Sequence, residues 1–148
     1  MKSSCRFAVA VHVLAVLAYK EGDRVTSSFL AHSVNTNPVI IRRLLLVLQR
    51  AKLVDTSKGT GSGSRLSRAP SRITLAEIYN AVEDCEPFGK PTRKPNAACP
   101  VGNCIREALE QIFASAFKAL EQDLAKNTLA SVIEQIKASG VCSKEKAG

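Results

Sequence analysis

The apolar positions of the chain recur mostly at steps of three and four, which is the period of an α-helix. The N-terminal stretch shows this pattern, with apolar residues at Phe7, Val11, Leu14 and Ala18. We expect a helix over residues 7–19 that buries this side and ends at the turn formed by Gly22 and Asp23.

Two short helices follow, joined by a connector of three residues. The hydroxyl residues at 26–28 are suited to cap a helix over 28–34, and Asn37 and Pro38 are suited to open another over 38–52. The expected buried stripe of this third helix is Ile40, Leu44, Val47 and Leu48, which leaves Arg42, Arg43 and Arg50 pointing outward. Two short helices in this arrangement, the second rich in arginine, form a helix-turn-helix pattern.

The next segment reads as a β-hairpin with a glycine-rich turn. Residues 53–57 and 65–67 read as strands, and residues 58–64 contain three glycines. The turn is not a nucleotide-binding P-loop, because Lys58 precedes the glycines and a strand follows them. A helix-turn-helix followed by a basic hairpin is a winged helix-turn-helix.

The C-terminal half is predicted to be helical around one long amphipathic segment. Thr74 and Glu77 have capping-box spacing and open a helix to about residue 83. A loop with four prolines precedes a helix over 101–126, and Thr128 caps a last helix over 129–137. The apolar residues of the long helix are Ile105, Leu109, Ile112, Phe113, Ala116, Phe117, Leu120 and Leu124. This stripe is wider than one small domain needs, which predicts a dimerisation helix; the alternative is a helix packed on its own domain.

The predicted fold is therefore mainly α with a small β-hairpin. We expect a winged helix-turn-helix domain over 1–83 and a proline- and cysteine-containing sensor-type loop over 84–100. The dimerisation helix and the short terminal helix occupy 101–138, and a flexible tail occupies 139–148. No apolar run approaches the roughly 20 residues that a membrane span needs, so no membrane association is expected.

Positive charge is concentrated in one segment of the chain. The 148 residues contain 21 Lys and Arg against 13 Asp and Glu, a net charge of +8. Within 42–72 the only acid is Asp55, and the bases are Arg42, Arg43, Arg50, Lys52, Lys58, Arg65, Arg68 and Arg72. Such a segment attracts a polyanion, although a merely solvated surface is the alternative. Aromatic residues make up only 5% of the chain, which argues against a stacking platform for single-stranded nucleic acid.

Four motifs in order resemble the Rrf2 family of bacterial transcriptional regulators. They are NTNPVIIRRLL at 35–45, AKLV at 51–54, KGTGSGSRL at 58–66 and ITL at 73–75. The CPVG motif at 99–102 resembles one subgroup of that family. The resemblance implies a winged helix-turn-helix homodimer, joined through the long helix, that binds a roughly palindromic operator, usually as a repressor.

The expected DNA contacts come from three places. The N-terminal end of the third helix should enter the major groove, with groove or phosphate contacts from Asn37, Pro38, Val39, Arg42 and Arg43. Ser27 and Ser28 begin the second helix and are expected to donate to phosphate. The resemblance implies that the wing tip reaches the minor groove with Lys58, Gly59, Thr60, Gly61 and Ser62.

The five cysteines, an odd number, indicate a reducing compartment and not a disulfide scaffold. Cys85, Cys99 and Cys104 flank the proline-rich loop. Three interpretations stay open. Cys99 at a helix N-terminus favours a reactive thiolate with Cys104 as resolving partner, which is a redox switch. Some members of the resembled family hold an iron–sulfur cluster at this place. The third interpretation is ordinary cysteines with no cofactor.

The combined prediction is a sequence-specific regulator of transcription that binds double-stranded DNA. We expect a cytoplasmic homodimer that acts as a repressor and responds to redox conditions through the loop cysteines. The alternatives are a cluster-sensing regulator of the same fold, or an interaction module without DNA affinity. An enzyme is not expected, because neither His12 nor His32 neighbours a plausible nucleophile or carboxylate pair.

Overall fold

The computed structural model describes residues 5–84 and 87–140 of the chain. Its helices and strands follow the order α1 (Arg6–Tyr19), α2 (Ser27–Val34), α3 (Pro38–Arg50), β1 (Val54–Ser57), β2 (Gly63–Leu66), α4 (Leu75–Val82), α5 (Pro100–Ala125) and α6 (Leu129–Ala138). A short 3-10 helix, Pro70–Arg72, joins β2 to α4. The predicted class, mainly α with one small hairpin, is confirmed. Among the described residues, no helix combines the length and apolarity that crossing a bilayer requires.

The core lies between α1, α2, α3 and α4, and α6 closes it from the C-terminal side. Its most deeply buried large side chains are Val13, Leu14, Leu17, Leu30, Ile41, Leu48, Leu53, Val54, Ile73, Ile78, Val82 and Leu129. Backbone hydrogen bonds hold α6 in place. The Leu129 N–H donates to the Ile73 carbonyl at 2.8 Å, and the Leu75 N–H donates to the Asn127 carbonyl at 2.9 Å. The terminal helix therefore belongs structurally with the N-terminal half of the chain, across the long helix that separates them in sequence.

The buried side of α3 differs from the predicted stripe by a rotation of the helix. Ile41, Leu44, Leu45 and Leu48 are buried, whereas Ile40 is exposed and Val47 is only half-buried. A helical period accommodates both stripes, and the packing of α3 against α2, α4 and β1 selects the observed one. The helix also ends two residues earlier than expected, because Lys52 takes a left-handed conformation with φ of 59°.

The hairpin is antiparallel, and its second strand is pinned at Ser64 to the turn before α2. Ser57 pairs with Gly63 nearest the tip, and Val54 pairs with Leu66 at the base. Val25 extends the ladder, since its N–H donates to the Ser64 carbonyl and its carbonyl accepts from the Ser64 N–H, both at 2.9 Å. A Cβ at Gly63 would lie 2.9 Å from the Val25 carbonyl oxygen, so this close approach requires glycine. This pairing also explains why β2 begins at Gly63, earlier than the sequence suggested.

Candidate nucleic-acid interface

A side-chain cap begins each helix of the α2–α3 pair. The Thr26 hydroxyl accepts from the Phe29 N–H at 3.2 Å, and the Asn37 side-chain carbonyl accepts from the Val39 N–H at 2.9 Å. Asn35 ends α2 in the left-handed conformation, with φ of 61°. Pro38 is at the first position of α3, where its missing N–H leaves no hydrogen bond unmade. These local interactions orient α3 before any ligand is present.

The outward face of α3 alternates between aliphatic and cationic side chains. Val39, Arg43, Leu46 and Arg50 are spaced by four, three and four residues, which places them on one side of the helix. Val39 is 45% exposed and Leu46 is 55% exposed. The sequence analysis did not identify Leu46 as part of this exposed face. Its position seven residues after Val39, about two helical turns further along, was the signal that would have identified it.

Arg42 lies beside this face and is held by the start of α2. Its Nε donates to the Ser27 hydroxyl at 3.2 Å, so the structure brings together two residues that were predicted to contact DNA. Ser28 is exposed next to Ser27. The contact positions a guanidinium group at the junction of α2 and α3, with its remaining N–H groups available to an acceptor.

The basic segment divides into arginines that are paired within the chain and bases that are not. Arg65 lies 3.5 Å from Asp55, and Arg68 lies 3.0 Å from Glu77. Arg24 also binds Asp55, at 2.9 Å, and donates to the Gly63 carbonyl at 3.2 Å, which ties both strands of the hairpin to the turn before α2. Within residues 5–84 and 87–140, the bases of the segment without an ion pair are Arg42, Arg43, Arg50, Lys52, Lys58 and Arg72. The unpaired charge is thus concentrated on α3 and the hairpin tip.

The tip of the hairpin is exposed and shaped by glycine. Lys58, Gly59, Thr60, Gly61 and Ser62 are all exposed. Gly59 and Gly61 have φ values of 93° and 71°, and the Ser62 N–H donates to the Gly59 carbonyl at 3.0 Å. A groove of about 380 Å³ runs between the tip, the start of α2 and one side of α3, and Ser27, Arg42, Lys58 and Ser62 line it. The three predicted contact regions therefore meet around one groove.

The capping box of α4 forms as predicted and carries an altered carboxyl group. The Thr74 N–H donates to a Glu77 carboxylate oxygen at 3.0 Å, and the Glu77 N–H donates to the Thr74 hydroxyl at 3.2 Å. The hydrogen bond from the Thr74 backbone lowers the pKa of Glu77; burial opposes the shift, and Arg68 adds to it. These bonds join the base of the hairpin to the start of α4.

The eight apolar residues predicted for dimerisation separate into two groups along α5. Phe113, Phe117, Leu120 and Leu124 are half-buried on the side that faces the rest of the chain. The Phe117 ring lies 6.4 Å from that of Tyr79 in α4, and Phe113 stacks on Phe88 of the preceding loop at 4.7 Å. Ile105, Leu109, Ile112 and Ala116 are exposed. No residue of α5, which is described over its whole length, is fully buried.

The described cysteines of the loop lie at the start of α5. Cys99 occupies the N-cap position and Cys104 follows within the helix; both are exposed. The five helical steps between them span about 7.5 Å, beyond the reach of a disulfide, so pairing would require the first turn to unwind. A Cβ at Gly102 would lie 2.5 Å from the Asn96 carbonyl oxygen, which explains the glycine of the CPVG motif. Cys85, the third candidate, lies outside the described residues, as does the end of the predicted tail.

Comparison with known proteins confirms the resemblance. Residues 3–135 match the Rrf2 family, described as iron-dependent transcriptional regulators. YwnA of Bacillus subtilis, named as an HTH-type transcriptional regulator, is 37% identical over 131 residues, which cover 88% of this chain and 96% of YwnA. A crystal structure presented as that of a DNA-binding protein is 36% identical, with a TM-score of 0.70, covering 86% of this chain and 98% of its own. The structure of T. potens IscR shares the fold, with a TM-score of 0.71 at 21% identity over 94% of this chain and 90% of IscR.

The described residues contain no set of ligands that matches the iron in the family description. Across residues 5–84 and 87–140, no three His, Cys, Asp or Glu side chains converge on one point. Cys99 and Cys104 are the two described cysteines of the loop, and an iron–sulfur cluster generally requires four protein ligands. The described residues by themselves therefore do not supply the ligands of a cluster.

The family match, the close relative and the shared fold lead to one conclusion. The match covers nearly the whole chain, and it includes the helix pair, the hairpin and the long helix. The chain belongs to the Rrf2 family, whose members are transcriptional regulators and not enzymes.

Proposed function

We propose that this regulator is a cytoplasmic homodimer that binds a roughly palindromic operator in double-stranded DNA and represses transcription. The observation that carries the proposal is the outward face of α3. It presents Arg43 and Arg50 without ion pairs in the described chain, and Arg42 is held beside them by Ser27. A helix of this kind fits the major groove of B-DNA, and its cations neutralise phosphates.

The proposed base contacts come from the N-terminal end of α3. Asn37 and Pro38 begin the helix, and Arg42 and Arg43 follow within its first turns. Arginine in the major groove binds guanine in bidentate fashion or grips a phosphate, so these two residues supply affinity and, where they meet guanine, specificity. Lys58 and Ser62 of the wing tip line the groove described above, and Ser28 is exposed next to Ser27. In this proposal Ser28 contacts the neighbouring phosphate backbone and the wing tip at 58–62 enters the minor groove.

The aliphatic residues of the same face have a separate role in this proposal. Val39 and Leu46 are large exposed apolar side chains among cations, where solvation alone would favour polar residues. In the major groove, the group that an aliphatic side chain recognises is the methyl of thymine. We therefore expect A·T pairs in the operator opposite Val39.

The proposed dimer forms through the exposed apolar side of α5. Ile112 is 61% exposed and has Ala116 one turn further along, so a second helix can approach closely there. A dimer with two-fold symmetry presents two copies of α3 to one side of the duplex. The two helices would enter successive major grooves, which are about 34 Å apart. A dimer bound over a promoter would prevent polymerase from binding, which is the simplest route to repression.

The proposed redox response uses the thiols of Cys99 and Cys104. Both are exposed. Hydrogen peroxide would oxidise the two thiols to one disulfide and be reduced to two waters, and closure would unwind the first turn of α5. The prediction is an operator affinity that changes on peroxide treatment and returns with dithiothreitol. A Cys99→Ser variant that responds as wild type does would contradict it.

Selection of bound fragments from the source genome tests the central proposal. The full chain is incubated with fragmented genomic DNA, and the enriched site is measured against unrelated duplex at a stated salt concentration. We expect an enriched inverted repeat and a specific affinity at least about 10³ times the non-specific one. Equal affinity for both duplexes, or no binding to either, would contradict sequence-specific binding and favour an interaction module.

A further inference from the structure

A cavity separates the proline-rich loop from α5. It has a volume of about 120 Å³ and lies between residues 89–95 of the loop and the first half of the helix. Its apolar lining comes from Pro91 and Pro95 of the loop and from Ile105, Leu109 and Phe113 of α5. No described contact in the DNA-binding face involves these residues, so the cavity is a feature that DNA binding leaves unexplained.

The walls of this cavity are anchored on both sides. Phe88, just before it in the chain, stacks on Phe113 with the ring planes 18° apart. On the other side, the backbone of Asn96 passes so close to Gly102 that no side chain would fit there. The Asn96 carbonyl also accepts from the Cys99 N–H at 3.2 Å. The loop is thereby held against the helix at two points, and the space between them is formed without a ligand.

The charged residues around the cavity are mostly cationic. Lys90, Arg93 and Arg106 line it together with one acid, Glu110. Among the ion pairs of the described chain, none involves Arg93 or Arg106. An apolar lining with guanidinium groups at its edge is complementary to a ligand with an apolar body and a single negative group. A carboxylate matches the planar, two-donor edge of an arginine.

The volume limits the size of the ligand. An apolar cavity of about 150 Å³ accommodates benzene, so about 120 Å³ suits one six-membered ring or a branched chain of similar bulk. We propose that this cavity is a binding site for small aromatic or branched-chain monocarboxylates, whose carboxylate is held by Arg93 and Arg106.

The proposed site is separate from the DNA-binding face and does not depend on it. Ile105 and Leu109 line the cavity and are also among the residues predicted for dimerisation, whereas Ile112 and Ala116, on which the proposed dimer contact rests, do not line it. Ligand binding can therefore be measured on the full chain without DNA, and its failure would leave the proposed regulator function untouched.

Isothermal titration with benzoate tests the proposal, with benzyl alcohol as the neutral compound of similar shape. We expect saturable binding of benzoate and at least tenfold weaker binding of benzyl alcohol. Arg93→Gln and Arg106→Gln should each weaken benzoate binding at least fivefold. Lys94 lies next to Arg93 in the chain but does not line the cavity. Lys94→Gln should therefore change the affinity for benzoate less than twofold. All three positions are exposed, so the variants should retain the wild-type circular dichroism spectrum.

Three outcomes would overturn the site. They are no saturable benzoate binding at up to 20 mM, about the upper limit of a useful titration; equal binding of the alcohol; or equal losses in all three variants. Leu109→Phe provides an independent check, because a larger side chain in the lining should exclude the ring. If that variant binds benzoate as wild type does while the arginine variants do not, the carboxylate is bound outside the cavity and the assignment is wrong.

Discussion

The winged half of the molecule and its long helix contrast in what they bury. Each of α1, α2, α3, α4 and α6 contributes fully buried side chains to one core, and the base of the hairpin adds Leu53 and Val54. The 26 residues of α5 contribute none, although several large apolar side chains lie along that helix. The first region therefore contains the buried core of the described chain. The second keeps an exposed apolar side, on which the proposed dimer rests.

This difference matches the division of tasks that we propose. The proposed DNA-binding surface requires α3 and the hairpin tip to keep one fixed geometry. A continuous core with capped helices supplies that rigidity. A helix that is left partly uncovered is free to bind a second copy and to respond to what occupies its loop. The following predictions test this contrast, from the largest expected effect to the smallest.

Removing a core side chain from α3 should damage the winged half severely. Leu48 is fully buried, so Leu48→Ala should lower the free energy of unfolding by about 2–5 kcal/mol, through lost burial and a residual cavity. Leu46→Ala is the matched control on the same helix, because Leu46 is exposed, and it should cost less than about 0.5 kcal/mol. Urea unfolding measures both. Equal losses would mean that α3 is not oriented as described.

Placing a charge on the exposed side of α5 should separate the proposed dimer without unfolding the subunit. Ile112→Glu brings two carboxylates into an apolar contact, so the dimer dissociation constant should rise on the order of 100-fold. Gln111→Glu adds the same charge at the neighbouring position, on a different side of the helix, and should have little effect. Sedimentation equilibrium gives the constants. A wild-type chain that is monomeric at all concentrations would remove the basis for this contrast.

Removing two cations from α3 should weaken operator binding about tenfold or more. Arg42→Ala with Arg43→Ala eliminates two proposed contacts, and it should reduce the slope of log affinity against log salt by up to about two. Lys118→Ala with Lys126→Ala removes the same charge from α5 and the residue that ends it, and should leave both quantities nearly unchanged. Fluorescence anisotropy over a salt series distinguishes them. Wild-type binding by the first variant would show that α3 does not read the operator.

Shortening Val39 should cost about 1 kcal/mol of operator binding, or roughly fivefold in affinity, if it contacts a thymine methyl. The loss should disappear when deoxyuridine replaces the contacted thymine, because the methyl is then already absent. The four affinities of wild type and Val39→Ala on the two operators form a double-mutant cycle. A coupling energy of zero would mean that Val39 only fills space in the interface and does not recognise the base.

The smallest predicted effect concerns the capping box and its dependence on pH. Because the pKa of Glu77 is lower in the folded chain than in the unfolded one, its charge stabilises the fold above the unfolded pKa. That contribution is lost as the pH falls through the folded pKa. Glu77→Gln should cost a few tenths of a kcal/mol at pH 7, since exposed pairs are screened, and less at about pH 3. Urea unfolding at about these two pH values gives the difference; a constant cost would contradict it.

Local sequence signals predicted most elements and failed where packing decided. The caps at Thr74, Thr128 and Asn37 form as their spacing indicated, because a capping interaction needs only residues within one turn. The buried stripe of α3 was misplaced at Ile40, because its neighbours in space are far away in sequence. Leu46 is a different case, because its spacing from Val39 is a local signal that the sequence already contained.

In the candidate site, too, the sequence predicted the local features, and only the folded structure decided which residues contact each other. The basic segment pointed to DNA, yet its charges did not reveal that Arg65 and Arg68 are paired within the chain while Arg43 and Arg50 are not. The partners that make this difference, Asp55 and Glu77, are supplied by a strand pairing and by the capping box of α4. Likewise, the proline-rich loop was recognised by composition, but its cavity exists only because Phe88 and Asn96 fold back on α5.

Sequence alone thus determined the order of the helices, their caps, the winged arrangement and the family, all of which depend on residues close together in the chain. The tertiary structure alone decided which face of α3 is exposed, which arginines remain unpaired, and where a cavity opens beside the long helix. The reason is physical: caps and helical periods are set within a few residues, whereas burial and ion pairing depend on segments that meet only when the chain has folded.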